Sequence, residues 1–178
     1  MNHRHFNNYM PIVNEKWVAG VLGIPYNPRD GPDLISEDCY MEVKFHLLGD
    51  RENMRKYPRA AWTVMEHQLS WGKNGRVAYW GLGTFTIKTP VRKLRSKNER
   101  ALEENVQERE LWVLPWEFME QYPKNETRGK SKITGDEWYN VFRYPKISGI
   151  KKIEFLNYSV DRGTIHFSKE INPRYFNF

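Results

Sequence analysis

Three residues of this chain have types and spacing suited to catalysis: Asp33, Glu42 and Lys44. They lie in the stretch GPDLISEDCYMEVKFHLL, where Pro32-Asp33 is followed, after eight residues, by Glu42-Val43-Lys44. Two carboxylates can hold one or two Mg²⁺ ions, hard cations that prefer oxygen ligands and keep part of their water shell. A metal so held lowers the pKa of a water and neutralises charge on a phosphate. A lysine beside it can orient the attacking water or offset the negative charge that builds in the transition state. The chemistry that suits the set is phosphodiester hydrolysis.

Such chemistry needs the three side chains brought together. Cys39 to His46 alternates as a strand does, with Met41, Val43 and Phe45 on an apolar face and Tyr40, Glu42, Lys44 and His46 on the other. Residues two apart on a strand point the same way, so Glu42 and Lys44 project together, their stems roughly 7 Å apart. Ser36-Glu37-Asp38 is a polar turn that would fold the strand back on Leu34-Ile35 and carry Asp33 towards Glu42. The competing reading is an ordinary amphipathic hairpin whose charged face is merely solvated.

At these residues the chain resembles the PD-(D/E)XK nuclease superfamily, which has the restriction-endonuclease-like fold. Asp33, Glu42 and Lys44 match its motif residue by residue, as does the proline before the aspartate. A bare Pro-Asp and Glu-X-Lys pattern is weak, and the short spacer, the turn and the alternating strand add context. The resemblance implies Asp33 and Glu42 as metal ligands, the Val43 carbonyl as a third protein ligand, Lys44 as the catalytic lysine, and Mg²⁺ (or Mn²⁺) as the cofactor. Family members often supply a glutamate from the helix before the Pro-Asp strand, here Glu15, and some supply a glutamine from the following helix, here Gln68. For Glu15 the alternative is a favourable charge at a helix start; for Gln68 it is an exposed helical glutamine.

On either side of the motif, further elements are expected. Asn14 caps a helix running to Gly23, with Trp17, Val18, Val21 and Leu22 at helical spacing. Residues 24–32 form a Pro- and Gly-rich loop. Asp50 to Trp71 reads as helical, restarting at Pro58, with a stripe of Ala61, Trp62, Met65 and Leu69 closed by Gly72. Two strands, 76–80 and 84–87, are separated by Gly81-Leu82-Gly83 as a hairpin or bulged pair. A strand over 110–114 precedes a short helix over 115–121, and two further strands lie at 151–158 and 163–167. The expected fold is α/β: a restriction-endonuclease-like mixed central β-sheet flanked by helices, with a β-containing C-terminal extension. Residues 1–122 would be the nuclease core and 123–178 the extension, packed on the same domain.

Charge and composition narrow the partner. The 178 residues carry a net charge of +6, which favours a polyanion. Lys88, Arg92, Lys93, Arg95 and Lys97 cluster on one segment, and Lys130 and Lys132 lie in a second basic loop. Such groups neutralise phosphates with salt-dependent affinity; the alternative for the first segment is pairing with the acidic run Glu103 to Glu110, and for the second a mere linker. A single cysteine, Cys39, excludes a disulfide framework and a cysteine-rich zinc site; a buried thiol in a reducing, intracellular (cytoplasmic) setting is expected. No apolar run reaches membrane-span length, and the terminus MNHRHFNNYM is too polar for a signal peptide and is expected to be disordered. There is no Walker A loop, no Gly-X-Gly-X-X-Gly and no Gly-X-Ser-X-Gly.

Together these features describe a Mg²⁺-dependent DNA endonuclease: a restriction-like or homing-type site-specific cutter, or a Holliday junction resolvase. A homodimer is expected, since two strands need two active sites. The alternative is a non-catalytic nucleic-acid-binding protein that uses the basic loops.

Overall fold

The alternating segment is the long central strand of a sheet. In a computed structural model, which describes residues 3–50, 61–71, 76–94, 98–117 and 138–142, β1 (Leu34–Ile35) and β2 (Cys39–Asp50) form an antiparallel hairpin. Its turn is closed by Ser36, whose N–H donates to the Cys39 carbonyl at 2.8 Å and whose Oγ accepts the Cys39 N–H at 3.1 Å. The Cys39 thiol is buried, as expected.

Strand β4 (Val77–Ile87) pairs with β2 in parallel, and β5 (Val106–Pro115) pairs with β4 antiparallel, giving a mixed sheet in the order β1-β2-β4-β5. A parallel pair needs a long crossover. Here the chain between β2 and β4 carries β3 (Ala61–Met65) and the short helix α2 (Glu66–Ser70). β6 (Trp138–Phe142) pairs with β3 in a separate two-stranded sheet.

Both faces of the central sheet are covered. Helix α1 (His3–Leu22) lays Val18 and Leu22 on Cys39, Met41 and Val43. The opposite face packs Trp80, Leu82, Trp112 and Leu114 against Trp62 and Val64 of β3. The fold is therefore α/β, a mixed four-stranded sheet flanked by helices. Among the described residues no helix is long and apolar enough to cross a membrane.

Three expectations are corrected. The first helix begins at His3, not after an Asn14 cap, and takes in the polar terminus expected to be disordered. Phe6, Met10 and Val13 form a buried stripe that docks on Phe85, Ile87, Leu102 and Val106, which holds the first turns in place despite Pro11.

Residues 61–65, expected to be helical, are a strand. Trp62 and Val64 both enter the core, a two-residue period that the helical stripe of Ala61, Trp62 and Met65 concealed. The Trp62 Nε1–H donates to the Gly83 carbonyl at 2.7 Å, fixing the strand over the sheet.

Gly81-Leu82-Gly83 is not a hairpin; β4 runs straight through it. The glycines clear space for side chains of β2. A Cβ at Gly83 would stand 2.3 Å from the Phe45 ring, and one at Gly81 would stand 2.9 Å from Met41 Sδ. The helix expected over 115–121 is described only to Glu117, where a turn includes Trp116 and Glu117. The segment around Pro58, Gly72 and the strands expected at 151–158 and 163–167 lie outside the described residues.

Candidate active site

The hairpin pairs Leu34 with Met41, which would set Pro32 opposite Val43. The ladder cannot continue: proline has no N–H, and the Pro32 carbonyl is taken by Asn27 Nδ2 at 2.9 Å. The Asp33 carboxylate fills the gap, its Oδ2 accepting the Val43 N–H at 2.7 Å. Within a strand the N–H and C=O of one residue leave on the same edge, so the Val43 carbonyl lies on the edge that Asp33 occupies. The loop before it is held by the Asn27 N–H on the Asp33 carbonyl at 2.8 Å and the Ile35 N–H on the Pro25 carbonyl at 3.0 Å.

Glu42 and Lys44 leave β2 on the face under β3 and α2, so that face is not the solvated one of an amphipathic hairpin. Glu42 is 1% exposed. Its Oε1 accepts from Lys44 Nζ and from Gln68 Nε2. Gln68 is buried rather than exposed, and its Oε1 accepts the Met65 N–H at 2.9 Å, so the start of α2 aims its amide at Glu42. Glu42 Oε2 is buried without a hydrogen-bond partner among the described residues.

The Asp33 and Glu42 carboxyl groups lie close enough to share a proton. As carboxylates both are acceptors only and neither can satisfy the other. Burial, first, and then the Asp33 charge push Glu42 up to about 8 from 4.5. Burial also raises Asp33, partly offset by Lys44 and by the Val43 N–H. Burial would lower Lys44, but the charges of Glu42 and Asp33 outweigh it and hold the ammonium above its ordinary value.

Glu15 arrives from the other side of the sheet. Helix α1 covers the apolar face of β2, and at the edge where β1 has ended Glu15 comes within the field of both Asp33 and Lys44. Burial, and then the Asp33 charge, raise it to about 7. Tyr26 joins from the loop, its hydroxyl raised first by burial and then by Glu15.

Asp33, Glu42, Lys44 and Gln68 are thus brought together at the open edge of β2, with Glu15 within electrostatic reach of Asp33 and Lys44. The basic residues are elsewhere. Lys88, Arg92 and Lys93 are exposed beyond the C-terminal end of β4, where Lys88 Nζ donates to the Glu104 carbonyl at 2.7 Å. Leu82 is level with Lys44, and Ile87 ends the strand five residues on, so these cations begin about 17 Å along the sheet from the lysine. Arg95, Lys97, Lys130 and Lys132 lie outside the described residues.

Sequence reasoning missed one residue that shapes the site. Arg109, 2% exposed on β5, grips Glu103 of α3 (Glu99–Asn105) with both terminal nitrogens and donates Nε–H to Asn14 Oδ1 at 3.0 Å. Its guanidinium also lies 4.8 Å from the Trp17 ring centroid. It therefore holds α1 at both neighbours of the Glu15–Lys16 pair. The available signal was a lone arginine within the acidic run, alternating between Glu108 and Glu110 on a strand.

Among the described residues no three His, Cys, Asp or Glu side chains form a self-sufficient metal cage. The donor set is two touching carboxylates and a backbone carbonyl. That suits Mg²⁺, which binds through one or two carboxylates and keeps several waters. The buried, unpartnered Glu42 Oε2 is the atom such an ion would satisfy. Compared with protein-family models, curated proteins and solved structures, the chain matches none.

Proposed function

We propose that the protein is a metal-dependent DNA endonuclease of the PD-(D/E)XK type, built on a restriction-endonuclease-like sheet. The observation that carries the reading is the contact of the half-buried Asp33 carboxyl group with the buried carboxyl group of Glu42, beside Lys44, with one Glu42 oxygen left unpartnered among the described residues. Like charges drawn together out of water are stabilised by a shared proton or by more positive charge than Lys44 alone supplies, and a metal ion would supply it.

Asp33, Glu42 and the Val43 carbonyl would hold the ion. Bound there, Mg²⁺ would neutralise charge on the scissile phosphate and lower the pKa of a water. Lys44 supplies a fixed positive charge to the phosphate as negative charge builds in the transition state. Gln68 and Lys44 together fix the Glu42 carboxylate by holding its Oε1, leaving Oε2 for the metal. Glu15, poised to about 7, can accept a proton from the attacking water near neutral pH. The exposed cations at Lys88, Arg92 and Lys93 extend the contact along the phosphate backbone. Cutting both strands takes two such sites, hence a homodimer. A non-catalytic binding protein would have no use for the repulsive carboxylates.

Incubation with plasmid, a four-way junction and single-stranded DNA tests the reading. Scission of at least one substrate in Mg²⁺ and none in EDTA is expected. Binding of DNA without scission in Mg²⁺ or Mn²⁺ would favour the binding protein instead. The preferred substrate separates a resolvase from a site-specific cutter.

A further inference from the structure

On the Pro32 side of the site the sheet carries a hollow. A cavity of ≈ 350 Å³ is lined by Pro32, Ile35, Tyr40, Trp71 and Arg76. Tyr40 is its buried floor. It stands two residues before Glu42 on the same face of β2, about 7 Å away along the strand. The walls, unlike the floor, reach solvent: Pro32, Ile35 and Trp71 are half-buried and Arg76 is exposed. The size falls in the roughly 300–1,000 Å³ range of small-molecule sites, which suits one nucleotide and excludes a duplex.

Trp71 is held where it stands. It follows α2, and its carbonyl accepts the Tyr40 hydroxyl. Two residues earlier the Leu69 carbonyl accepts the Trp116 Nε1–H at 2.9 Å. The His67 ring braces the indole, with 5.5 Å between centroids. A ligand that covers an indole so fixed has little left to order. Arg76 comes from the neighbouring strand. Ala78 is level with Tyr40 and Trp80 with Glu42, so Arg76 starts about 13 Å along the sheet from the Glu42 row. None of the described lining residues is acidic, in contrast to the carboxylates next door. The occupant must therefore be apolar on its faces, anionic at one end, and continuous with a phosphate held beside Lys44.

Resting on the phosphodiesterase reading, we propose that this hollow receives one unpaired nucleotide of the cut strand, on the Asp33 side of the scissile phosphate, with its base against Trp71 and its phosphate against Arg76. Stacking on an indole is tolerant of base identity, and an arginine on a phosphate positions the strand without reading sequence. The subsite selects strand state over sequence. Strands already single beside the cut, as in flaps or junction arms, are then preferred to a continuous duplex, because no base pair has to be opened.

The test is binding in EDTA to two single-stranded octamers, octathymidylate and its fully abasic counterpart, which share phosphates and differ in the bases alone. Wild type should bind the thymidylate at least about fivefold more tightly. Trp71→Ala should lower that ratio to about twofold or less, and Trp71→Phe, which keeps an aromatic face, should largely retain it. Arg76→Gln should weaken both octamers alike and make the log–log salt slope shallower by about 0.7. Melting checks the fold of each variant; Arg76 is exposed, so its variant reports even if Trp71→Ala unfolds. Irradiation of the wild-type complex with a 5-iodouracil octamer should attach the base to the peptide that carries Trp71. Equal affinity for the two octamers in the wild type would overturn the proposal. So would an undiminished ratio in folded Trp71→Ala, an unchanged salt slope in Arg76→Gln, or crosslinks that all map away from Trp71. Scission in Mg²⁺ is scored separately. Cutting without base preference removes the subsite and leaves the nuclease, whereas base preference without cutting does the reverse. Failure to bind either octamer removes the subsite.

Discussion

The protein builds a cluster of charge around each of two buried side chains, Arg109 and Glu42, and the two are built on opposite plans. At Arg109 one guanidinium meets one carboxylate with two hydrogen bonds, a third goes to Asn14, and Trp17 lies against it. Charges balance, and each of the three guanidinium nitrogens donates one hydrogen bond. At the edge of β2 three carboxyl groups, Glu15, Asp33 and Glu42, share one ammonium, Lys44, and a buried Glu42 oxygen has no partner among the described residues. Burial raises all three carboxyl groups. The balanced cluster ties α1 to β5 and α3. The unbalanced one lacks about the charge that a divalent cation would bring. The first cluster stabilises the fold, and the second, on the reading proposed above, is completed by a ligand.

That contrast can be broken by removing one member from each side. Arg109→Ala leaves Asn14 Oδ1, which is buried, without its donor and half-exposed Glu103 without its partner, and a buried polar group left unsatisfied costs about 1–3 kcal/mol. Denaturant unfolding should show a loss of that order, and activity should fall as well, because α1 carries Glu15. If Arg109→Ala is neutral for stability, the cluster is not the clamp described.

Glu42→Gln should act in the opposite direction. It keeps the Oε1 acceptor for Lys44 and Gln68 while removing a charge that burial and Asp33 disfavour, so the metal-free protein should gain stability at pH values above 8 and lose scission. The pH dependence has a definite sign. Glu15 and Glu42 have folded values raised above 4.5, to about 7 and about 8. Their contribution to stability is therefore fully present below about pH 4.5 and is lost as pH rises through 7 and 8. Thermal melting of the metal-free protein should fall across that window, and Glu42→Gln should flatten the fall. Mg²⁺ should restore stability most at the alkaline end, where its ligands are ionised. A melting temperature that rises from pH 5 to 8 without metal would contradict the assignment.

Gln68→Ala sharpens the comparison from a step further out. It leaves the charges intact and releases Glu42 Oε1 from its amide, which should weaken metal affinity by about tenfold. A Mg²⁺ titration of scission rate would show a shifted midpoint with a nearly unchanged maximum. The smallest effect belongs to the exposed cations. Replacing Arg92 or Lys93 by Gln should weaken DNA binding only a few-fold, with a log–log salt slope shallower by about 1 for each phosphate that is no longer neutralised.

What the sequence revealed divides along the same line. β2, its turn and the placing of Asp33 near Glu42 were legible because local alternation and a polar turn specify them. The long start of α1 was not. Asn14 looks like a helix cap, and its buried role depends on Arg109, 95 positions away. The glycines of β4 read as a turn because the Phe45 ring that requires Gly83 belongs to another strand. Trp62 was placed on a helix since its partner, the Gly83 carbonyl, is likewise non-local. Gln68 shows the same limit in the site: nothing near it in sequence states that its amide will be buried against Glu42.

On the proposed reading the unbalanced edge holds a cation for phosphodiester hydrolysis. Its most direct test sets wild type, Asp33→Asn and Lys44→Ala side by side on a cleavable DNA in Mg²⁺, with folding checked by melting. Expected are scission by the wild type, a loss of about 10²–10³-fold or more in each variant, and melting of Asp33→Asn at or above the wild-type temperature without metal. Scission that survives undiminished in either variant would contradict that reading.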